Sequence, residues 1–340
     1  MISSEKLNSI LLIQKRFRIW KKKINTLKPV IYNKQSIDFN SIYLFLGKKR
    51  SKSKNDKHNK IRESIIECII NDNIPKQYYR LSLRWSNIKK GIYTYIETLC
   101  RKKNIDNIYH IECIHKGGRI HKYDFMVIIS TLNRTYEFKV EFKFNTSNVK
   151  DTPQFVSPMK PSQYLESSYE EYYYNNYFIQ LIKQYNLELP EKEIYLKEIH
   201  SSYPDCLKAH QEKYRQGCKK SKAFSNVKND IEFYNTSKKL SRDSISSFIS
   251  SNTLNQGKLT DYLLESQKDK YYMLYKNGTF YLETINNDNY IITDVTNEPK
   301  KNRYIAQTKS GIFLNILLRW KNGNGIALPS FQISLNNNRK

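Results

Sequence analysis

Between Tyr136 and Phe144 the charged residues Glu137, Lys139, Glu141 and Lys143 alternate with Tyr136, Phe138, Val140, Phe142 and Phe144. A period of two is that of a β-strand, so the four charges share one face and the apolar groups share the other. A solvated strand face, whose opposite charges neutralise each other, has the same pattern. The preceding stretch separates the two readings. Asp124 stands immediately before the apolar run Phe125 to Ser130, and the short segment Leu132, Asn133 and Arg134 parts that run from the charged one, so the two read as a β-hairpin. A two-residue turn at Leu132 and Asn133 sets Asp124 directly opposite Glu141, and Glu137 opposite Ile128. Carboxylates that face each other across a ladder repel unless a cation lies between them, and a divalent ion with oxygen ligands fills that role. Lys143, on the same face as Glu141, can reach an anionic phosphate or an attacking water. Phosphodiester hydrolysis needs such an outfit: a metal to activate water and a fixed cation for the charge that develops around phosphorus.

In the order and spacing of these residues the sequence resembles the PD-(D/E)xK nuclease superfamily, whose core is a helix, a hairpin with Asp on one strand and Glu-x-Lys on the next, and a following helix. Asp124 matches the Asp, and Glu141-Phe142-Lys143 matches the Glu-x-Lys. Glu97 matches the acidic residue often found on the preceding helix, and Gln154 sits where many members carry a Gln before or on the next helix. The resemblance covers about residues 85 to 185, and it departs from the pattern at Tyr123, where the family often has Pro. It implies an α/β fold with a restriction-endonuclease-like core, a central mixed sheet flanked by helices. It also implies a Mg²⁺-dependent nuclease, with Mn²⁺ able to substitute. Asp124 and Glu141 would be metal ligands, Glu97 an auxiliary ligand, and Lys143 would stand beside the scissile phosphate. The low-complexity style and the basic N-terminal helix are also similar to proteins of large DNA viruses.

Charge agrees with that expectation. Lys and Arg total 58 against 32 Asp and Glu, a formal net charge of +26. Such a field favours a polyanion, and each phosphate neutralised by Lys or Arg releases a counterion and so drives binding. DNA, double- or single-stranded, is the expected partner. No run of about 18 apolar residues occurs, so no membrane is expected. The five cysteines show no paired spacing, which fits reduced thiols in an intracellular compartment. The 27 tyrosines are explained by an AT-rich coding bias as readily as by base stacking.

Around the hairpin the chain divides into five segments. Residues 1–46 hold a basic amphipathic helix over Leu7 to Ile24, in which Ile13-Gln14 to Lys23 resembles an IQ motif and implies a calmodulin-like partner, with Ile19 in place of the usual Gly. Residues 47–60 contain no apolar side chain and read as a basic flexible linker. The nuclease-like core is expected over 61–190, a polar helical extension over 191–255, and a β-rich C-terminal lobe over 256–340, where Asn277-Gly278 marks a hairpin. His200, Cys206, His210 and Cys218 are the one group with the flavour of a zinc site. The expected activity is endo- or exonucleolytic hydrolysis of DNA. The alternative is a DNA-binding or packaging protein on the same fold with its site unused.

Overall fold

Apolar residues at helical and strand periods build one mixed sheet with helices over it. The computed structural model describes residues 4–47, 52–117, 121–151, 155–156, 159–201 and 203–336. The chain begins with α1 (Ser4–Asn25), a small hairpin of β1 (Val30–Tyr32) and β2 (Gln35–Ile37), and a 3-10 helix (Phe39–Leu46). Then follow α2 (Lys52–Ile70), α3 (Lys76–Leu81) and α4 (Leu83–Lys102). α2 buries Ile65, Ile66, Ile69 and Ile70, and α4 buries Trp85, Ile88, Ile92, Tyr95, Ile96 and Leu99. Steps of three and four turn each set toward one side of its helix. Three strands come next: β3 (Ile108–His115), β4 (Phe125–Thr131) and β5 (Thr135–Phe144).

The chain then leaves this sheet. β6 (Phe155–Val156) is followed by α5 (Tyr169–Tyr173) and α6 (Ile179–Gln184), joined through a π-helical turn, then α7 (Lys192–Glu198), α8 (Lys208–Gly217), α9 (Lys228–Ser251) and α10 (Gln256–Gln267). It returns as β7 (Lys270–Lys276) and β8 (Thr279–Glu283), completing a five-stranded sheet in the order β3-β4-β5-β7-β8. β5 and β7 run parallel, while the other neighbours are antiparallel. Parallel neighbours cannot be joined by a tight turn, and everything from Lys150 to Lys268 serves as the crossover. Phe125, Val127, Phe138, Val140, Phe142, Met273 and Tyr275 form one core with the buried faces of α2 and α4.

Two compact units result: Met1–Val149 with Asp269–Thr284, and Lys150–Lys268 with Ile285–Lys340. The second adds β9 (Ile292–Glu298), β10 (Arg303–Thr308), β11 (Phe313–Trp320) and β12 (Pro329–Asn336) in an antiparallel sheet ordered β6-β12-β11-β10-β9. Its core is aromatic, with Tyr169, Tyr173, Phe178 and Tyr195 packed among Trp320 and Phe331. The fold is therefore mixed α/β, with ten α-helices among the described residues. Among those residues no helix is long and apolar enough to cross a membrane.

This division differs from the five sequence segments. The stretch read as a linker over 47–60 is helical from Lys52, because packed turns downstream nucleate a helix that polar residues then extend cheaply. Arg62 ties α2 down: its Nε and Nη2 donate to the Leu44 carbonyl at 3.0 and 2.9 Å, and its guanidinium lies 3.5 Å over the Phe144 ring. Ile37, Phe39, Ile42 and Phe45 share a core with α2 and α4, so the segment 1–46 is no separate N-terminal piece. The segment 61–190 is cut at Val149, and β7 and β8 belong to the first unit's sheet rather than to a C-terminal lobe.

Candidate active site

The hairpin register follows from the turn. Thr131 and Arg134 close the loop, with Thr131 N donating to Arg134 O at 2.8 Å, which leaves Leu132 and Asn133 as the two turn residues. Phe125 then faces Val140, Ile128 faces Glu137 and Ser130 faces Thr135. The regular pairing ends at Phe125 and Val140, one residue short of Asp124, and Glu141 is among the charges that act on Asp124. Asp124 N donates to Val140 O at 3.0 Å, and Asp124 O accepts from Lys116 N at 2.7 Å, so its backbone is pinned to both neighbouring strands. Its Oδ2 accepts the Phe142 N–H at 2.8 Å. A side chain here takes the place of a ladder carbonyl, which fixes the carboxylate at the end of β4.

Glu141 is buried and lies between two ammonium groups. Lys143 Nζ is 2.5 Å from Oε1, and Lys270 Nζ is 2.7 Å from Oε2. Burial alone would raise the Glu141 pKa, but Lys143 and Lys270 outweigh it and hold the carboxylate below its usual range. Burial likewise opposes the charge on Lys143, and Glu141, Asp124 and Glu63 overcome it, so the Lys143 pKa is raised. Asp124 behaves differently. Burial, then the neighbouring Glu63 and Glu141, push its carboxyl up to about 7, and Lys143 and the Phe142 N–H offset only part of that. One carboxylate in the site is fully neutralised, and the other is short of positive charge.

Glu63 comes from α2, which packs on β3. Its Oε2 lies 3.1 Å from His115 Nε2. That contact is the largest influence on His115, and its pKa is raised. One turn on, Glu67 is saturated: it accepts from Tyr32 Oη, Asn33 Nδ2 and His115 N. Glu67 therefore ties β1 and the turn after it to β3, and Glu63 is the acid left to face Asp124. A cavity of about 540 Å³ opens here, lined by Lys34, Asn59, Lys60, Glu63, His115 and Asp124 among others. Glu141, Lys143 and Lys270 are not part of its lining.

Of the residues expected from sequence, the structure brings Asp124, Glu141 and Lys143 together. Glu97 is placed elsewhere. It is exposed on α4, which packs on α2, α3 and β8, and the charges acting on Asp124 are those of Glu63, Glu141 and Lys143. Glu63, on α2, is the helical acid that acts on Asp124. Gln154 lies outside the described residues. Among the described residues His200, Cys206, His210 and Cys218 are not gathered into a metal set: His200 Nε2 pairs with Glu170 Oε1 at 2.7 Å, and His210 Nε2 lies 2.9 Å from the Glu188 carbonyl. Three residues escaped the sequence reading. Glu63 and Glu67 are acids one turn apart within an isoleucine-rich helix, and Lys270 is a lysine heading a strand that continues Tyr-Tyr-Met-Leu-Tyr. Each stands in the sequence as a charge among apolar neighbours.

Among the described residues no three His, Cys, Asp or Glu side chains form a ready metal set. The donor chemistry nevertheless fits Mg²⁺, which prefers oxygen, keeps several waters and is often held by one or two carboxylates. Asp124 accepts one hydrogen bond, on Oδ2, which leaves Oδ1 without a donor beside two further carboxylates. A divalent cation would relieve that excess of negative charge. No protein-family model matches the chain, and no curated protein matches it in sequence.

Proposed function

We propose that the chain is a Mg²⁺-dependent deoxyribonuclease whose first unit is a PD-(D/E)xK core of restriction-endonuclease type. The observation that carries this reading is the meeting, at the end of the hairpin, of Asp124, pushed up to about 7, with a charged Glu141–Lys143 pair. The helix, the hairpin and a parallel strand beside its second member stand in an order that supports the same core.

Asp124 and Glu141 would hold the metal, with Glu63 as the auxiliary acid. When bound, the metal would lower the pKa of a coordinated water and polarise the phosphoryl oxygens. Lys143 carries its charge on the sheet face shared with Glu141 and gives the scissile phosphate a fixed cation. The Phe142 N–H keeps Asp124 oriented, and α2 carries Glu63 to the cavity where Lys34 and Lys60 present further positive charge. The net charge of +26 supplies affinity for the phosphate backbone without sequence information.

A plasmid-nicking and oligonucleotide-cleavage assay tests the proposal. Cleavage with Mg²⁺ or Mn²⁺ that stops on addition of EDTA is expected. A second reading, a DNA-binding or packaging protein that uses the same fold without catalysis, draws support from one observation: both Glu141 oxygens are already held by lysines. Tight DNA binding with no cleavage of single or double strands in either metal would establish it.

A further inference from the structure

Glu141 has two ammonium partners, and only Lys143 belongs to the hairpin. Lys270 opens β7, and its register partner is Lys139, which puts it on the same sheet face as Glu141. The Lys270 side chain is 4 % exposed and that of Glu141 10 %. A buried ammonium is costly unless a carboxylate is close and well placed, and Lys270 Nζ sits 2.7 Å from Oε2. The pair is therefore held together by mutual need. It also leaves Glu141 with both oxygens held, while Asp124, flanked by Glu63 and Glu141, has no ion pair among the described residues. A divalent ion drawn to Asp124 must compete with Lys270 for Oε2. On release the ammonium would keep a partner, since Lys270 Nζ already lies 5.8 Å from the Tyr272 ring centroid, within cation–π reach.

We propose that Lys270 is a positioning residue that occupies Oε2 of Glu141 in the metal-free protein and yields it to a divalent cation, so that Lys270 sets the metal affinity of the site. This rests on the metal-dependent reading given above. Lys270 acts as a resident counter-charge: it keeps Glu141 ionised and aimed until the metal arrives, and it raises the metal concentration at which the site fills.

The test is Mn²⁺ binding to the full-length protein, measured by isothermal titration calorimetry without DNA, for wild type, Lys270→Met and Lys270→Arg. Met matches the lysine stem but removes the competing charge. Lys270→Met should bind Mn²⁺ about tenfold more tightly, equivalent to about 1.4 kcal/mol. Metal-free Lys270→Met should unfold at a lower temperature than wild type and regain the loss on adding Mn²⁺. Lys270→Arg should restore wild-type affinity to within about threefold. A merely structural lysine would lower stability and leave Mn²⁺ affinity unchanged or weaker, and that result overturns the proposal. Should Lys270→Met fail to fold, Lys270→Gln keeps a donor for Oε2 without the charge, and it too should bind more tightly than wild type; equal or weaker binding overturns the proposal. Wild-type protein that takes up no Mn²⁺ removes the metal reading and the role of Lys270 with it. Wild-type binding with no change in either variant removes only the role of Lys270.

Discussion

Replacing Asp124 by Asn removes one charge and little else, because the amide oxygen can still accept the Phe142 N–H that Oδ2 accepts now at 2.8 Å. Its effect on stability has a sign set by the carboxyl group's titration. Asp124 is raised from 3.8 to about 7 in the folded protein. Below about 3.8 both folded and unfolded chains hold the proton, so the group contributes nothing. Between 3.8 and about 7 the folded state binds more protons, and stability falls as pH rises until the full cost is present above about 7. At about 1.36 kcal/mol per pH unit the rise corresponds to about 4 kcal/mol. Relaxation of Glu63, Glu141 and Lys143 around a half-buried carboxylate reduces this, and about 2 kcal/mol is expected. Asp124→Asn should therefore stabilise the metal-free protein at pH 8 by about 4–8 °C. The gain should shrink progressively as pH falls from about 7 to about 3.8 and be absent below that, and Mg²⁺ should stabilise wild type but not the variant. Thermal and urea unfolding in EDTA across this range measure the difference, and other titrating groups cancel between the two proteins. An Asn variant that is less stable at pH 8, or whose gain persists unchanged at low pH, would refute the reasoning.

Four further outcomes follow from the same geometry. Glu141→Gln should eliminate metal-dependent cleavage, whereas Glu137→Gln, on an exposed residue that faces Ile128, should change it little; equal losses would show the wrong Glu was chosen. Glu63→Gln should weaken Mn²⁺ binding and cleavage while Glu97→Gln leaves both intact, as read by calorimetry and cleavage rate. Ile42→Ala, at a side chain 1 % exposed, should cost about 2–5 kcal/mol in urea unfolding. Removing residues 1–18 should leave the first unit folded by circular dichroism, since Leu11, Leu12, Ile13 and Phe17 are all more than half exposed, but should flatten the salt dependence of DNA affinity.

The hairpin was legible in the sequence because strand period and turn length together fix register, and that register sets Glu137 opposite Ile128, away from Asp124. The Asn277-Gly278 turn was legible for the same local reason: both residues adopt positive φ, 50° and 91°, which Asn and Gly tolerate best. Glu63 was not, since helical periodicity says which face of α2 is buried but not which strand that face meets. Glu97 shows the converse, a residue well placed in sequence whose helix packs on the sheet while Glu97 itself lies on the exposed side. Lys270 is brought to β5 by a parallel pairing whose crossover runs from Lys150 to Lys268, and no local signal encodes such a partner. Of the expected linker over 47–60, the part from Lys52 is helical, because low hydropathy forbids a buried face but not a solvated helix anchored by the turns that follow it.

The central claim is that Asp124 and Glu141 hold a metal that cleaves DNA, and it is tested most directly by measuring cleavage and DNA affinity on one preparation each of wild type and Asp124→Asn. Mg²⁺-dependent cleavage by wild type, lost in the variant while DNA affinity is retained, is the predicted result, because +26 spreads the phosphate contacts over many side chains. Equal cleavage by both proteins, or binding with no cleavage by wild type in Mg²⁺ or Mn²⁺, would contradict it.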